Sequence, residues 1–144
     1  MKTATYSIVI VELVSIIWNL NRSPNIIRLF GSMIGFAGVV VFGLAVWTMR
    51  DSWRAGIPES DKTEMVTNGI YTYSRNPAFL GFDMVYIGIL MMFFHEVLLV
   101  FTIASMVMLH LQILQEEKFL QKVFGEKYLT YKNKVCRYIG RNVF

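Results

Sequence analysis

The sequence predicts an all-α membrane protein of about four transmembrane helices, with a C-terminal helical hairpin, a structured cytoplasmic loop and an interfacial amphipathic tail helix. Three observations carry that expectation. Hydrophobic residues fill 55% of the 144 positions and charged residues only 17%. The apolar residues gather in four windows, 6–18, 29–49, 78–94 and 97–114, with the charges confined to the blocks between them. Of the 14 Lys and Arg residues, all but Arg22 and Arg28 fall on one side of a four-crossing layout. The positive-inside rule makes that side cytoplasmic, so both termini and the central loop face the cytoplasm of an inner-membrane protein. At this length the chain is one domain, 1–144.

A crossing helix needs about 20 mostly apolar residues. The first window is shorter than that unless Lys2–Tyr6 and Asn19–Asn21 extend it. Lys2 followed by an apolar stretch also resembles a signal peptide, but Trp18-Asn19-Leu20-Asn21 offers no small-residue cleavage site, so an uncleaved helix is expected. The second window is long enough and contains Gly31-x-x-x-Gly35 and Gly38. No strand precedes these glycines, and their setting is apolar. They predict close helix packing, within one chain or between subunits of an oligomer, rather than a nucleotide-binding turn.

The connection 50–76 is long for a loop, yet Trp53, Ile57, Met65, Val66, Ile70, Tyr71 and Tyr73 recur through it. That pattern predicts an ordered segment lying against the helix ends, with Asn68-Gly69 as a turn. Pro77 disfavours helical backbone at Asn76 and suits a first helical turn, so the third helix starts there. His95-Glu96 is a polar break, and the two windows around it form a hairpin that returns the chain beside Arg75 at Gln115-Glu116-Glu117. Gly125 is placed to end the fourth helix. Beyond it, Tyr128, Tyr131, Val135, Tyr138 and Ile139 recur every three or four residues among lysines, as in a helix lying in the membrane interface.

Ionisable groups inside apolar windows are costly and need a reason. Glu12, Asp83 and His110 are such groups. Asp83 and His110 each lie about 9 Å below the same surface at helical rise, so they are expected to face one another. The pair either fixes helix register or, through His110 and Glu117 on a shared face, lines a pocket. Cys136 is the single cysteine, and the two histidines stand at opposite ends of the hairpin, so neither a disulfide framework nor a metal site is expected. The net charge of +4 is accounted for by topology and anionic headgroups, not by nucleic acid.

Glu116-Glu117 opposes the helix dipole at a C-terminal end, where cations are preferred. Elsewhere such a pair reads as a solvated charge run. Here it returns to a corner that also offers Arg75, Asn76, a helix N-terminus and several rings. That set suits a zwitterionic ligand with a cationic sulfur: carboxylates for ammonium or hydroxyls, helix amides for a carboxylate, rings for a purine and a sulfonium.

At these residues the chain resembles the integral-membrane isoprenylcysteine carboxyl methyltransferases and related phospholipid methyltransferases. Their pattern runs G-P-Y-x-x-x-R-[HN]-P-x-Y-x-G, then E-E after a helical hairpin, then F-G-x-x-Y-x-x-Y and R-x-[IV]-P. This sequence has Gly69-Ile70-Tyr71, Arg75-Asn76-Pro77, Phe79, Gly81, Glu116-Glu117, Phe124-Gly125, Tyr128, Tyr131 and Arg137-Tyr138-Ile139-Gly140. The likeness extends over roughly 63–140 with order and spacing kept. Ile70 and Gly140 replace prolines, Asn76 stands for the histidine of eukaryotic members, and Phe79 lacks the tyrosine hydroxyl.

The resemblance implies methyl transfer from S-adenosylmethionine to a lipophilic small molecule or lipid, with the cofactor held in approximately 50–140. The contacts carried over are Val66, Thr67, Gly69, Tyr71, Arg75, Asn76, Pro77, Gly81, Glu116 and Glu117. Arg137 and Arg54 are the candidates for positioning an acceptor carboxylate. A membrane reductase using a nicotinamide cofactor and a non-enzymatic lipid-binding membrane protein are the competing readings.

Overall fold

Pro77 opens a helix in the structure, a computed structural model that describes residues 10–11, 13–14, 17, 23–50 and 65–142. Four helices are described in full: α1, Asn25–Met49; α2, Pro77–Met92; α3, Glu96–Phe124; and α4, Glu126–Lys134. A short 3-10 helix, Gly69–Thr72, precedes α2. Among the described residues there is no strand, only an isolated antiparallel bridge between Val135 and Arg141. The expectations for the first apolar window as a full crossing, for Glu12, and for Trp53, Arg54 and Ile57 lie outside the described residues.

Two described helices, α1 and α3, are long and apolar enough to cross a membrane, with mean hydropathy of 2.2 and 2.3 over their most apolar stretches. α2 is apolar but shorter. Helices of this length and apolarity suit an integral membrane protein.

The chain divides into two units. The first holds residues up to Val39 together with Gly81–His110. Within it, α1 and α2 run past one another with glycine at each close approach. A Cβ on Gly31 would sit 2.7 Å from the Gly88 carbonyl oxygen, and one on Gly38 would sit 2.7 Å from that of Gly81. The obstructing atoms are backbone and cannot yield, so the expected packing role of these glycines is realised inside the chain. Arg28, in the first turns of α1, stacks over the Phe93 ring at 5.9 Å, where α2 has just ended. The polar break then explains itself: His95 Nδ1 accepts a 3.3 Å hydrogen bond from the Leu98 amide, and the His95 carbonyl takes that of Leu99. His95 is the N-terminal cap of α3, satisfying an amide that has no partner within the helix. Asp83 is buried, His110 is near enough to act on its charge, and its Oδ1 accepts no hydrogen bond among the described residues.

The second unit holds Val40–Leu80 and Leu111 to the C-terminus. Its apolar centre is Ala45, Tyr71 and Ala78, with Phe42, Met49, Val66 and Ile70 packed around them. Gly69 takes φ +56, and the space over it is filled by Thr48, so a side chain there would meet both strain and a clash. The turn expected at Asn68-Gly69 thus opens the 3-10 helix, which places Tyr71 in the core.

Gly125, at φ +50, separates α3 from α4. The tail helix is shorter than its periodicity predicts: α4 stops at Lys134, and 135–141 is a turn. Tertiary hydrogen bonds claim that backbone. Arg75 donates its amide to the Cys136 carbonyl and Gly140 donates to Tyr73, at 3.1 and 2.9 Å, while Gly140 at φ +126 closes the turn.

Candidate functional site

That turn delivers Arg137 to the start of α2, and the two meet on one carboxylate. Glu117, 6% exposed, lies in the last third of α3. Arg137 binds it in bidentate fashion, Nε to Oε1 and Nη2 to Oε2, both at 3.0 Å. Arg75 Nη2 reaches Oε1 at 3.3 Å, and Asn76 Nδ2 donates to the same oxygen at 3.5 Å. Asn76 also donates to the Arg137 carbonyl at 3.2 Å, while its own amide is received by Ser74 Oγ. A single buried anion therefore joins a loop–helix corner to the tail, with charge-assisted bonds that are shorter and stronger than neutral ones.

Two tyrosines of α4 complete the frame. Arg75 Nη1 donates to Tyr128 Oη at 3.3 Å. Tyr131 donates its hydroxyl to the Tyr71 carbonyl at 2.6 Å and lies 3.4 Å from that of Ser74, fastening the 3-10 turn to α4. Arg75 is about as buried as Glu117, and its Nε has no acceptor among the described residues. Glu116 is half-buried and accepts a 3.1 Å bond from Gln112.

The electrostatics follow from burial and these contacts. Burial pushes the Tyr71 phenol well above its ordinary value, with Glu116 adding to the shift. Burial does the same to Tyr131, helped by the Tyr71 phenol and opposed by Arg75. Tyr128 is raised chiefly by burial and then by Glu117. The hydrogen bonds to Glu117 hold the Arg137 guanidinium above its usual value, against a smaller effect of burial.

The structure thus brings Tyr71, Arg75, Asn76, Pro77, Glu117 and Arg137 into one assembly within the second unit. Val66 packs against the Tyr71 core, and Thr67 and Gly69 are exposed on the same loop. Gly81 lies in α2, where its carbonyl faces Gly38. Arg54 lies outside the described residues. Among those described, no group of His, Cys, Asp and Glu could hold a metal ion.

The family model for phospholipid methyltransferases matches residues 26–127. The chain belongs to the phospholipid methyltransferase family. The chain is 37% identical over 78 residues to a protein-S-isoprenylcysteine O-methyltransferase of Xenopus laevis, covering 54% of this chain and 27% of that one. It is 25% identical over 122 residues to the Saccharomyces cerevisiae protein of the same name, covering 83% of this chain and 51% of that one. Its fold is similar to a solved eukaryotic intramembrane Ras methyltransferase, an isoprenylcysteine carboxyl methyltransferase. That similarity has a TM-score of 0.77 at 22% identity over 96% of this chain and 51% of the other. The chain spans about half the length, or less, of these relatives.

For this phospholipid methyltransferase family member, the sequence assigned no site role to Ser74, Tyr128 or Tyr131. The two tyrosines carried a signal in the F-G-x-x-Y-x-x-Y spacing, since three residues of helix put both on the face that meets Arg75 and the turn. Ser74 carried none: its contribution is a hydroxyl to the Asn76 amide, visible only once the corner is folded.

Proposed function

We propose that the chain transfers the methyl group of S-adenosylmethionine to a lipophilic acceptor at the inner membrane, with the cofactor site and both termini on the cytoplasmic side. Family membership supports the reaction class. The observation that carries the site is the buried Glu117 carboxylate shared by Arg75, Asn76 and Arg137.

The residues present fit such a cofactor. Arg75 has a buried Nε with no acceptor among the described residues, and the helix opened by Pro77 has first-turn amides without intrahelical acceptors, so a carboxylate has donors there. Glu116 has no ion-pair partner among the described residues and is suited to an ammonium or ribose hydroxyls. Glu117 acts as a positioning residue: its oxygens are already engaged, and it fixes Arg75, Asn76 and Arg137 relative to one another. Val66, Thr67, Gly69 and Tyr71 flank the site along the loop, and Gly81 brings α2 close to its neighbour. When bound, the cofactor supplies an electrophilic methyl on a sulfonium, and transfer needs alignment and exclusion of water. Arg137 is 32% exposed and its Nη1 donates to no acceptor among the described residues, so it positions the acceptor, with Arg54 as a second cation for the same task.

Thermal unfolding in detergent tests the reading. S-adenosylhomocysteine at about 100 times its dissociation constant should add about 2.7 kcal/mol of stability, and NADPH none. Arg75→Ala should abolish that stabilisation while the chain still inserts. Stabilisation by NADPH alone would transfer the assignment to a reductase. Methyl-transfer assays on extracted lipids and on lipophilic acids, amines and thiols identify the acceptor.

A further inference from the structure

Along α4 lies an open groove of about 400 Å³ that shares only Thr67 and Tyr131 with the methyl-transfer site described above. One face of α4 supplies Lys127, Thr130, Tyr131 and Lys134, at the spacing i, i+3, i+4, i+7 that aligns side chains along a helix. Arg141 joins them because the turn 135–141 folds back, pairing Arg141 with Val135 and the Asn142 amide with the Lys134 carbonyl at 3.0 Å. Thr67 adds an exposed hydroxyl from the loop. Three cations line the groove and no carboxylate does. A tetrahedral oxyanion matches that lining: ammonium and guanidinium groups supply charge, and Thr67 and Thr130 supply neutral donors.

The surroundings indicate where such an anion comes from. α4 follows directly on α3, a helix of membrane-crossing length, so it stands at the level of lipid headgroups. Tyr73 and Ile139 are 63% and 71% exposed, one residue beyond the groove-lining Thr72 and two before Arg141. Large apolar side chains left open beside a basic groove fit a bilayer interface better than bulk water. We propose that this groove binds the phosphate of an anionic phospholipid headgroup. The site belongs to this chain's tail and does not depend on the methyl-transfer assignment, since S-adenosylhomocysteine stabilisation of the same variants reads that separately.

The test uses the full chain in phosphatidylcholine nanodiscs titrated with phosphatidic acid, with bound lipid counted by native mass spectrometry. Lys127→Gln/Lys134→Gln is compared with Lys118→Gln/Lys122→Gln, which removes the same charge from the end of α3. Thr130→Glu, at an exposed position, places a negative charge in the groove without removing a lysine. The groove pair should weaken phosphatidic acid binding by about fivefold per charge, on the order of 25-fold together, and Thr130→Glu at least as much as one lysine. The α3 pair should stay within about twofold of the parent. Equal losses in the two pairs would mean a diffuse positive surface and overturn the site. Displacement of the lipid by glycerol 3-phosphate at comparable concentration would assign the groove to a soluble phosphate and overturn the lipid assignment.

Discussion

Replacing Glu117 with glutamine keeps the side chain's size and removes its charge. In the structure this leaves Arg75 buried at 8% side-chain exposure, with Nε already lacking an acceptor and Nη2 now facing a neutral amide. Breaking a buried ion pair from one side costs about 3–5 kcal/mol, because the remaining charge stays out of water. Arg137 responds differently. At 32% exposure it can turn its guanidinium to solvent, so its own removal should cost only about 1 kcal/mol once screening is counted. A double-mutant cycle in detergent-solubilised protein separates the two. Glu117→Gln should lower the unfolding temperature by roughly 6–20 °C, at about 2–4 °C per kcal/mol for a chain of this length. Its coupling to Arg75→Gln should be several-fold larger than its coupling to Arg137→Gln. If Glu117→Gln costs less than about 1 kcal/mol, or the two couplings are equal, the carboxylate is not the shared buried anion described here.

The glycine contacts give a sharper contrast. Gly38→Ala and Gly88→Ala, whose Cβ atoms would meet backbone at 2.7 and 2.6 Å, should each destabilise by about 1–3 kcal/mol. Gly43→Ala, with nothing within 4 Å, should be neutral or gain up to about 1 kcal/mol in the same unfolding assay. Tyr131→Phe removes the 2.6 Å bond to the Tyr71 carbonyl and should cost about 1 kcal/mol, with weaker S-adenosylhomocysteine binding seen by calorimetry. Tyr71 and Tyr131 have folded-state pKa values above their unfolded ones, so their contribution is complete below the ordinary phenol range near 10 and is lost as pH rises beyond it. Denaturant unfolding should therefore show stability falling above about pH 10, and Tyr131→Phe should lessen that slope. His95→Ala should cost about 0.5–2 kcal/mol through the lost cap of α3.

Much of this was legible because local chemistry decided it. Pro77 starts α2, His95-Glu96 interrupts the hairpin windows, and Gly125 ends α3, each for a reason confined to a few residues. The meeting of Arg75 with Glu117 was also legible, since the two apolar windows between them are of similar length. The bidentate Arg137–Glu117 bond was not, because it depends on the tail leaving its helical period at Val135. The pattern of Tyr128, Tyr131, Val135 and Tyr138 favours one continuous helix. Hydrogen bonds from Arg75 and Gly140 override it, and no periodicity records them. The division of labour within Glu116-Glu117 was likewise hidden: identical neighbours on a helix point about 100° apart, and only the fold reveals which meets the arginines.

The hold of Glu117 on both arginines has a consequence for how the ends of this chain depend on each other. Loop, helix and tail do not carry separate charges that could each be tuned alone, for they draw on one anion. Removing the turn 135–141 would take from the Arg75 corner both Arg137 and the Cys136 carbonyl, from more than 60 positions away in the sequence, and leave Glu117 to pair with Arg75 alone.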